Sequence, residues 1–485
     1  MATMDKTSIR EEVERLKQEF KQLCSAGKVS PEIQAIMNSM LLVVELILTV
    51  FLEKKTRKNS KNSSLPSSQT PKDETAKSNP KSKGKGKKVS GEVNNTRTKE
   101  TVTITKAETC DVCGVSLDQT PCSDHERRTK IDIVFEKVVE HIDAEIKQCP
   151  NCTATVKGAF PKDMPGTLQY GNGLKAFAIH LIISQMVALN RVQKQIAAMI
   201  GSVISEATLL KFVWRLHQAL ETWEAKAIES ILQAPSIHVD ETSFRVDKKN
   251  NWIHVYSSGG TTLKLLHRKR GKDAIVDLNI IPRYGGVIIH DCWASYLSYD
   301  HCGHGLCGSH LLRELVFVVD SNQYRWAGNM KRLLQETCRI VAKREEKCLT
   351  DKEYANLQKR YRNILTRGGK ELPEIPPKPK GKRGKMAKSD AHNLWERLKK
   401  YETAVLLFAK DPYVPFTNNR AERDLRMAKV KQKISGCFRR KQYAQAYCRI
   451  SSYLQTMANH GVNPLVAIQM ALVGKITELE FDGGE

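Results

Sequence analysis

The chain of 485 residues carries 78 Lys and Arg against 53 Asp and Glu, a formal charge of +25 with a pI near 9.5. Forty per cent of its residues are apolar, enough to bury real cores, so wholesale disorder is excluded and a prior of ~150 residues per domain predicts about three folded units. Thirteen cysteines are too thinly spread for a disulfide-stapled secreted scaffold, and the first sixteen residues lack an apolar signal core; the expectation is a reduced, cytoplasmic protein whose partner is a polyanion, nucleic acid before anionic lipid.

Residues 1–53 read as an N-terminal helical region. Val13, Leu16, Phe20 and Leu23 alternate spacings of three and four, the seam of a coiled coil or of a helical hairpin. Met40 to Leu52 is almost wholly apolar, but it is thirteen residues long and contains Glu45, short of the ~20 apolar residues of a membrane pass. A buried or self-associating helix is expected there, and no membrane. Residues 54–100 read as a disordered basic linker. Twelve Lys or Arg lie between Lys54 and Lys88 with three Pro and no apolar cluster, a composition that cannot offset ordering entropy but attracts phosphates.

Residues 101–160 read as a zinc-binding domain. In Cys110-x-x-Cys113 and Cys149-x-x-Cys152 two intervening residues let the backbone turn so that both thiolates reach one ion at ~2.3 Å, and Gly114 eases the first turn. Together the pairs suit tetrahedral zinc; the rival is a redox CxxC. Cys122 and His125 add a CxxH that competes for the same ion. Residues 161–234 are helical in pattern. Gly201 interrupts, and Ser205 caps a helix carrying Leu209, Leu210, Val213, Leu216 and Leu220. This is the outline of a helix-turn-helix DNA-binding domain, and also of an ordinary helical bundle.

At Pro235 the period switches to strands: Ile237 to Asp240, Trp252 to Ser257, Leu263 to His267 and, after helix-compatible Lys272 to Ile281, Val287 to Asp291. Three strands, a helix and a fourth strand is the order of an RNase H-like sheet, whose first and fourth strands are parallel neighbours. Asp240 and Asp291 each close an apolar strand, so their carboxylates should meet. Such a pair repels unless a cation sits between them, and Mg²⁺, with Mn²⁺ as an alternative, leaves positions open for water and phosphate. Aspartate at a strand end is also ordinary turn chemistry. The third acid is Glu422, in the early turns of a helix capped by Thr417 or Asn418. It sits in a basic stripe of Arg420, Arg423, Arg426, Lys429, Lys431, Lys433, Arg439 and Arg440 that would contact DNA phosphates. Asp424, about 200° round the helix, is the lesser candidate.

The first part of the core is expected over 235–320, and residues 405–485 complete it with the Glu422 helix and C-terminal helices. Between Asp291 and Glu422 lie 130 residues, more than a strand and helix need, which places a helical insertion over 321–404. The insertion includes helical Trp326 to Leu349 and a basic, Pro-rich stretch, Pro376 to Lys388. Cys307 and His310 form one more CxxH, read as structural, with Arg313 as a phosphate or carboxylate clamp.

Asp240-Glu241-Thr242, His290-Asp291-Cys292-Trp293-Ala294-Ser295-Tyr296, the run from Cys307 to Leu315, and Asn418-Asn419-Arg420-Ala421-Glu422-Arg423-Asp424-Leu425-Arg426 closely resemble the transposases of the insertion sequence 66 family. The likeness extends upstream to Lys61 through Ser68, both CxxC pairs and Gln169-Tyr170-Gly171. The resemblance implies a multi-domain α+β protein: an RNase H-like α/β catalytic core with a helical insertion, preceded by zinc-binding and helical domains. It implies a DDE transposase with Asp240, Asp291 and Glu422 on two Mg²⁺ ions, and structural zinc on Cys110, Cys113, Cys149 and Cys152. The partner would be double-stranded DNA, both element ends and target, bound by a homo-oligomer at the nucleoid. Two departures stand out: Thr153 follows the second CxxC where the family usually has Gly, and Cys302 and His304 crowd the CxxH. The alternatives are an RNase H-like nuclease or resolvase without strand transfer, and a domesticated DNA-binding protein without catalysis.

Overall fold

The computed structural model describes residues 6–56, 58–59, 61–62, 101–131, 136–375 and 388–476. Most of the expected linker over 54–100 lies outside them, as do the matching run from Ser63 to Ser68 and residues 376–387 of the Pro-rich stretch. The chain divides into two units: one gathers the N-terminal helices with Thr222–Gln455, the other Lys87–Glu221 with Thr456–Phe481.

Helices α1 (Lys6–Ser25) and α2 (Pro31–Lys55) form a hairpin, with Ser30 capping α2, Pro31 in its first turn and a Lys17–Glu45 ion pair across the two. Along the predicted seam Val13 and Phe20 are half-buried, whereas Leu16 and Leu23 are exposed. By length and composition α2 could cross a membrane. Its last turn is nevertheless tied into its unit: Glu53 accepts from the backbone N–H groups of Asp390 and Ala391 at 2.7 and 3.0 Å and from Asn322 at 3.2 Å.

In the second unit, the short strands β1 (Ile146–Gln148) and β2 (Thr155–Lys157) pair antiparallel around Cys149 to Cys152. Helices α3 (Asn172–Ile183), α4 (Leu189–Ile200) and α5 (Glu206–Ala219) pack together behind an apolar core that includes Ile179, Val192, Leu209 and Leu216. Gly201 ends α4 at φ +66°, a left-handed conformation that suits glycine, and Ser205 accepts from Thr208 N–H at 3.1 Å to start α5.

Helix α6 (Glu221–Gln233) leads into β3 (Ser236–Val246), β4 (Lys249–Ser258), β5 (Thr261–His267), α7 (Lys272–Leu278), β6 (Val287–His290) and β7 (Gly303–Leu306). These strands form one mixed sheet in the order β5-β4-β3-β6-β7. The pairs β3–β4 and β4–β5 are antiparallel, β3–β6 and β6–β7 parallel. The arrangement is consistent with an RNase H-like core. Side-chain alternation splits β6 between two cores: Ile288 faces a cluster with Ile237, Tyr256 and Tyr284, and Ile289 faces one with Leu311, Trp326 and Tyr361. That second cluster joins the sheet to α8 (Gly308–Asn322), α9 (Arg325–Lys343), α10 (Asp351–Glu371), α11 (Asp390–Lys400) and α12 (Glu402–Leu406). The inserted helices therefore share a continuous core with β6 and β7. Helices α13 (Asn419–Ser435) and α14 (Lys441–Asn459) follow; α15 (Pro464–Leu472) packs on α3 and α5 of the second unit, not on the core to which the sequence pattern attached it.

Candidate active site

The parallel register sets Ser236 beside Val287, Ile237 beside Ile288 and His238 beside Ile289. Two residues further in the same register come Asp240 and Asp291; Asp291 directly follows the end of β6, but Asp240 does not close its strand as the apolar run suggested, because β3 continues to Val246 in pairing with β4. The backbone after Asp291 is strained, because Cys292 adopts φ +69° although it bears a side chain. A buried histidine holds it there: Cys292 N–H donates to His290 Nδ1 at 3.1 Å, His290 Nε2 lies 3.2 Å from His304 Nδ1, and His304 Nε2 lies 3.3 Å from the Tyr299 carbonyl. Burial lowers the His290 pKa to about 3, so the ring stays neutral and keeps an acceptor nitrogen.

Asn418 occupies the N-cap position of α13, but its side chain does not cap the helix. It is 2% exposed and reaches β3 instead: Oδ1 lies 2.9 Å from His238 Nδ1, Nδ2 donates to the Val239 carbonyl at 2.8 Å, and its N–H donates to Cys307 Sγ at 3.1 Å. Helix α13 is thereby stapled to β3 one residue before Asp240. In its first turn Glu422 Oε1 lies 3.1 Å from His310 Nε2 and 4.0 Å from Arg313 Nη2. Hydrogen bonding to His310 lowers the Glu422 pKa, with charges on Arg313 and Lys429 acting the same way. Asp240 moves in the opposite direction. Burial first, then the charges of Glu241, Asp291 and Glu422, raise it well above the usual carboxylate range. An acid pushed up by surrounding acids marks a place that a cation would stabilise. Glu422 Oε1 is shielded from solvent, with His310 Nε2 3.1 Å away. Three carboxylates are a hard oxygen set of the kind that suits Mg²⁺ or Mn²⁺, but among the described residues their oxygens do not all lie within 4.8 Å of one another, so an ion would have to draw them together.

Asp424, the other acid of α13, points into the sheet. It is 2% exposed, and its Oδ2 accepts from Ser257 Oγ at 2.8 Å and Thr262 Oγ1 at 2.9 Å. Ala421, Leu425 and Ala428 bury the same face, which continues to Lys431. Two members of the expected basic stripe are therefore turned inward: Lys431 is 7% exposed, and Arg420 donates to the Thr261 carbonyl at 3.3 Å. The apolar repeat at 421, 425 and 428 was the signal that could have placed them. Arg423, Arg426, Lys429, Lys433, Arg439 and Arg440 are exposed.

The sequence reading gave no role to Glu241, which is nearly shut off from solvent beside Asp240. Arg270 donates to Oε1 at 2.7 Å and the Tyr296 hydroxyl donates to Oε2 at 2.7 Å, while the Arg270 guanidinium lies over both Trp252 and Trp293. Such a fully paired acid holds the frame around Asp240. Cys302 and His304, expected to crowd the CxxH, are engaged elsewhere: Cys302 Sγ donates to the Tyr284 carbonyl at 3.0 Å, and His304 meets His290. Cys307 and His310 converge with Glu422, one donor atom of each lying within 4.8 Å of the others.

The CxxC pairs build two matching turns. Cys110 N–H donates to the Val115 carbonyl and Gly114 N–H to Cys110; Cys149 N–H donates to the Ala154 carbonyl and Thr153 N–H to Cys149, each at 2.9 Å. Amide hydrogen bonds within each turn lower the thiol pKa of Cys110 and Cys149. Gly114 and Thr153 occupy equivalent places at φ +74° and +56°. Among the described residues the four sulfurs do not gather into one group. Cys122 Sγ lies 3.7 Å from His125 Nε2 in an exposed pair.

Residues 167–446, more than half of the chain, match a family described as Transposase IS66 family. No curated protein matches the chain.

Proposed function

The chain belongs to the IS66 transposase family, and on that premise, with the DNA transposition it implies, we propose that Asp240, Asp291 and Glu422 form its catalytic centre. The reaction is cleavage at the ends of the element by water, which frees a 3′-OH, followed by attack of that hydroxyl on a phosphodiester of the target. The observation that carries this reading is the parallel β3–β6 register, which brings Asp240 onto the strand beside the one that Asp291 follows, with α13 and its Glu422 stapled to β3 through Asn418 one residue before Asp240. Divalent ions bound there would act as Lewis acids and lower the pKa of the attacking water or hydroxyl.

Asp240 would hold this charge from within β3 and Asp291 from just after the adjacent β6, and Glu422 completes the set from α13. His310 and Arg313 keep Glu422 ionised, while Asn418 fixes the start of its helix against β3. The exposed cations Arg423, Arg426 and Lys429 continue along the helix from Glu422 and would take backbone phosphates. The preformed CxxC turns support one structural zinc on Cys110, Cys113, Cys149 and Cys152, and the helices around Gly201 are suited to recognising element ends. Two ends brought together call for a homo-oligomer on DNA.

Purified protein given Mg²⁺ and its own flanking DNA should cut and join strands. Asp240→Asn, Asp291→Asn and Glu422→Gln should each abolish cleavage while end binding stays within a few-fold. Cleavage without joining would move the reading to a nuclease or resolvase, and normal cleavage by the Glu422→Gln protein would remove Glu422 from the centre.

A further inference from the structure

Glu422 faces two chemically different sets of neighbours. Its charge acts on the acid Asp240, while its immediate neighbours are sulfur and nitrogen donors. Cys307 sits at the N-cap of α8, where Ser, Thr, Asp or Asn is favoured because its oxygen accepts an amide of the first turn. The cysteine makes no well-aligned capping bond, although the backbone amides of Ser309 and His310 face its sulfur; Sγ accepts from Asn418 N–H, and the residue is 1% exposed. His310, in the first turn of α8, brings Nε2 to 3.1 Å from Glu422 Oε1. Donor atoms of Cys307, His310 and Glu422 all lie within 4.8 Å of one another.

Zinc bonds of ~2.0–2.3 Å in a tetrahedron set ligands about 3.3–3.8 Å apart. The imidazole and carboxylate already have nearly that spacing, and the sulfur would close by at most about 1 Å. An ion pair accounts for His310 beside Glu422 but not for a buried thiol as the third member, since a neutral thiol does little for a carboxylate. We propose that Cys307, His310 and Glu422 form a transition-metal site, with zinc as its occupant, that competes with magnesium for Glu422.

Binding displaces the thiol proton, so one proton is released as the metal–sulfur bond forms. Sulfur and imidazole donors select zinc over magnesium, and three protein ligands leave a fourth position for water or a phosphate oxygen. Zinc held here engages the carboxylate that the magnesium set needs, and so inhibits the reaction. This inhibition rests on Glu422 being the third acid; the metal site itself does not.

The test is a Co²⁺ titration of the full chain, read as thiolate-to-cobalt charge-transfer absorption, with wild type compared against Cys307→Ser and His310→Asn. The CxxC turns contribute equally to all three proteins. Wild type should take up one more equivalent than either variant, or bind it more tightly by at least the about 10–100-fold that loss of a supporting group costs. Retained cooperative melting shows that each variant is folded, and His310→Asn, at a partly exposed position, is the safer of the two. Identical uptake by all three folded proteins would overturn the site. In the cleavage assay, one equivalent of Zn²⁺ beyond the CxxC sites should suppress Mg²⁺-dependent cutting by wild type. Cobalt uptake at Cys307 and His310 without zinc inhibition would overturn the competition. If no Mg²⁺-dependent cutting occurs at all, the proposed function fails, while the cobalt difference still decides the site.

Discussion

Two acids on one helix, two residues apart, have opposite surroundings. Asp424 is buried between α13 and the sheet, where two hydroxyls donate to it and two arginines lie near. Glu422 lies among cations on one side and adds to the field that raises Asp240 on the other, with an oxygen that lacks a well-aligned hydrogen bond. Each acid keeps one buried oxygen without a well-aligned hydrogen bond, Oδ1 of Asp424 and Oε1 of Glu422; what separates them is that Asp424 is fastened to the sheet by two hydroxyls on its other oxygen, whereas Glu422 adds its charge to that of other acids. The same contrast separates Glu241, paired with Arg270 and Tyr296, from its neighbour Asp240.

The sharpest way to break this comparison is to neutralise each acid of α13. Glu422→Gln should cut the cleavage rate by on the order of 10²–10³-fold or more with little change in melting temperature. Asp424→Asn should destabilise the fold by about 1–3 kcal/mol, the cost of disturbing a buried charged acceptor, and lower cleavage only in proportion to the folded fraction. A reversed pattern would exchange the roles of the two residues.

Asp240 sharpens the comparison through pH. Its usual pKa is 3.8, and in the folded protein it is raised. Without metal, then, the folded state binds more protons than the unfolded chain as pH climbs above about 4, and stability falls until the folded pKa is passed. Asp240→Asn removes that cost. Metal-free Asp240→Asn should melt about 2–4 °C above wild type at pH 8 for each kcal/mol recovered, the gap should close below pH 4, and Mg²⁺ should raise the melting temperature of wild type only. Equal melting at pH 8 would show that the acids do not repel.

Cations on the two faces of α13 should divide likewise. Arg426→Ala, on the exposed face, should weaken binding to specific and random DNA alike and make the slope of log affinity against log salt shallower by ~0.9. Arg420→Ala should leave that slope unchanged and lower stability, because its guanidinium is spent on Thr261. The smallest effect belongs to the CxxC turns and the zinc proposed for them. Thr153 bears a side chain at φ +56° where Gly114 bears none at +74°, so Thr153→Gly should stabilise the second turn by ~1 kcal/mol, seen as about fivefold slower zinc loss to a chelator.

Much of the core was legible because strand period is a local signal, although Asp240, read as closing an apolar strand, lies within β3, which runs on to Val246. Val287 to His290 reads as a strand from its apolar run alone, and the strand–helix order fixes its parallel partner. The Pro235 boundary is legible for the same reason: α6 ends at Gln233 and β3 begins at Ser236. What stayed hidden depends on partners distant in sequence. Asn418 looks like a helix cap, but tertiary bonds to His238 and Val239, about 180 residues away in the chain, take its side chain. Lys431 looks like part of a basic stripe until the face that meets the sheet is known. The return of α15 to the second unit has no local marker, since an apolar helix fits either core. The two CxxC turns were plain from spacing, and so was the weakness at Thr153, because residue-specific backbone strain is a property of the turn itself.

The central claim is that Asp240, Asp291 and Glu422 share one metal site from which Asp424 is excluded. Mn²⁺ binding to the full chain, followed by calorimetry in wild type and in four single variants, tests it most directly. Asp240→Asn, Asp291→Asn and Glu422→Gln should each weaken Mn²⁺ binding by about tenfold or more, as loss of a group at a metal centre does, and Asp424→Asn should leave it unchanged. Weakened binding in Asp424→Asn together with unaltered binding in Glu422→Gln would contradict the account.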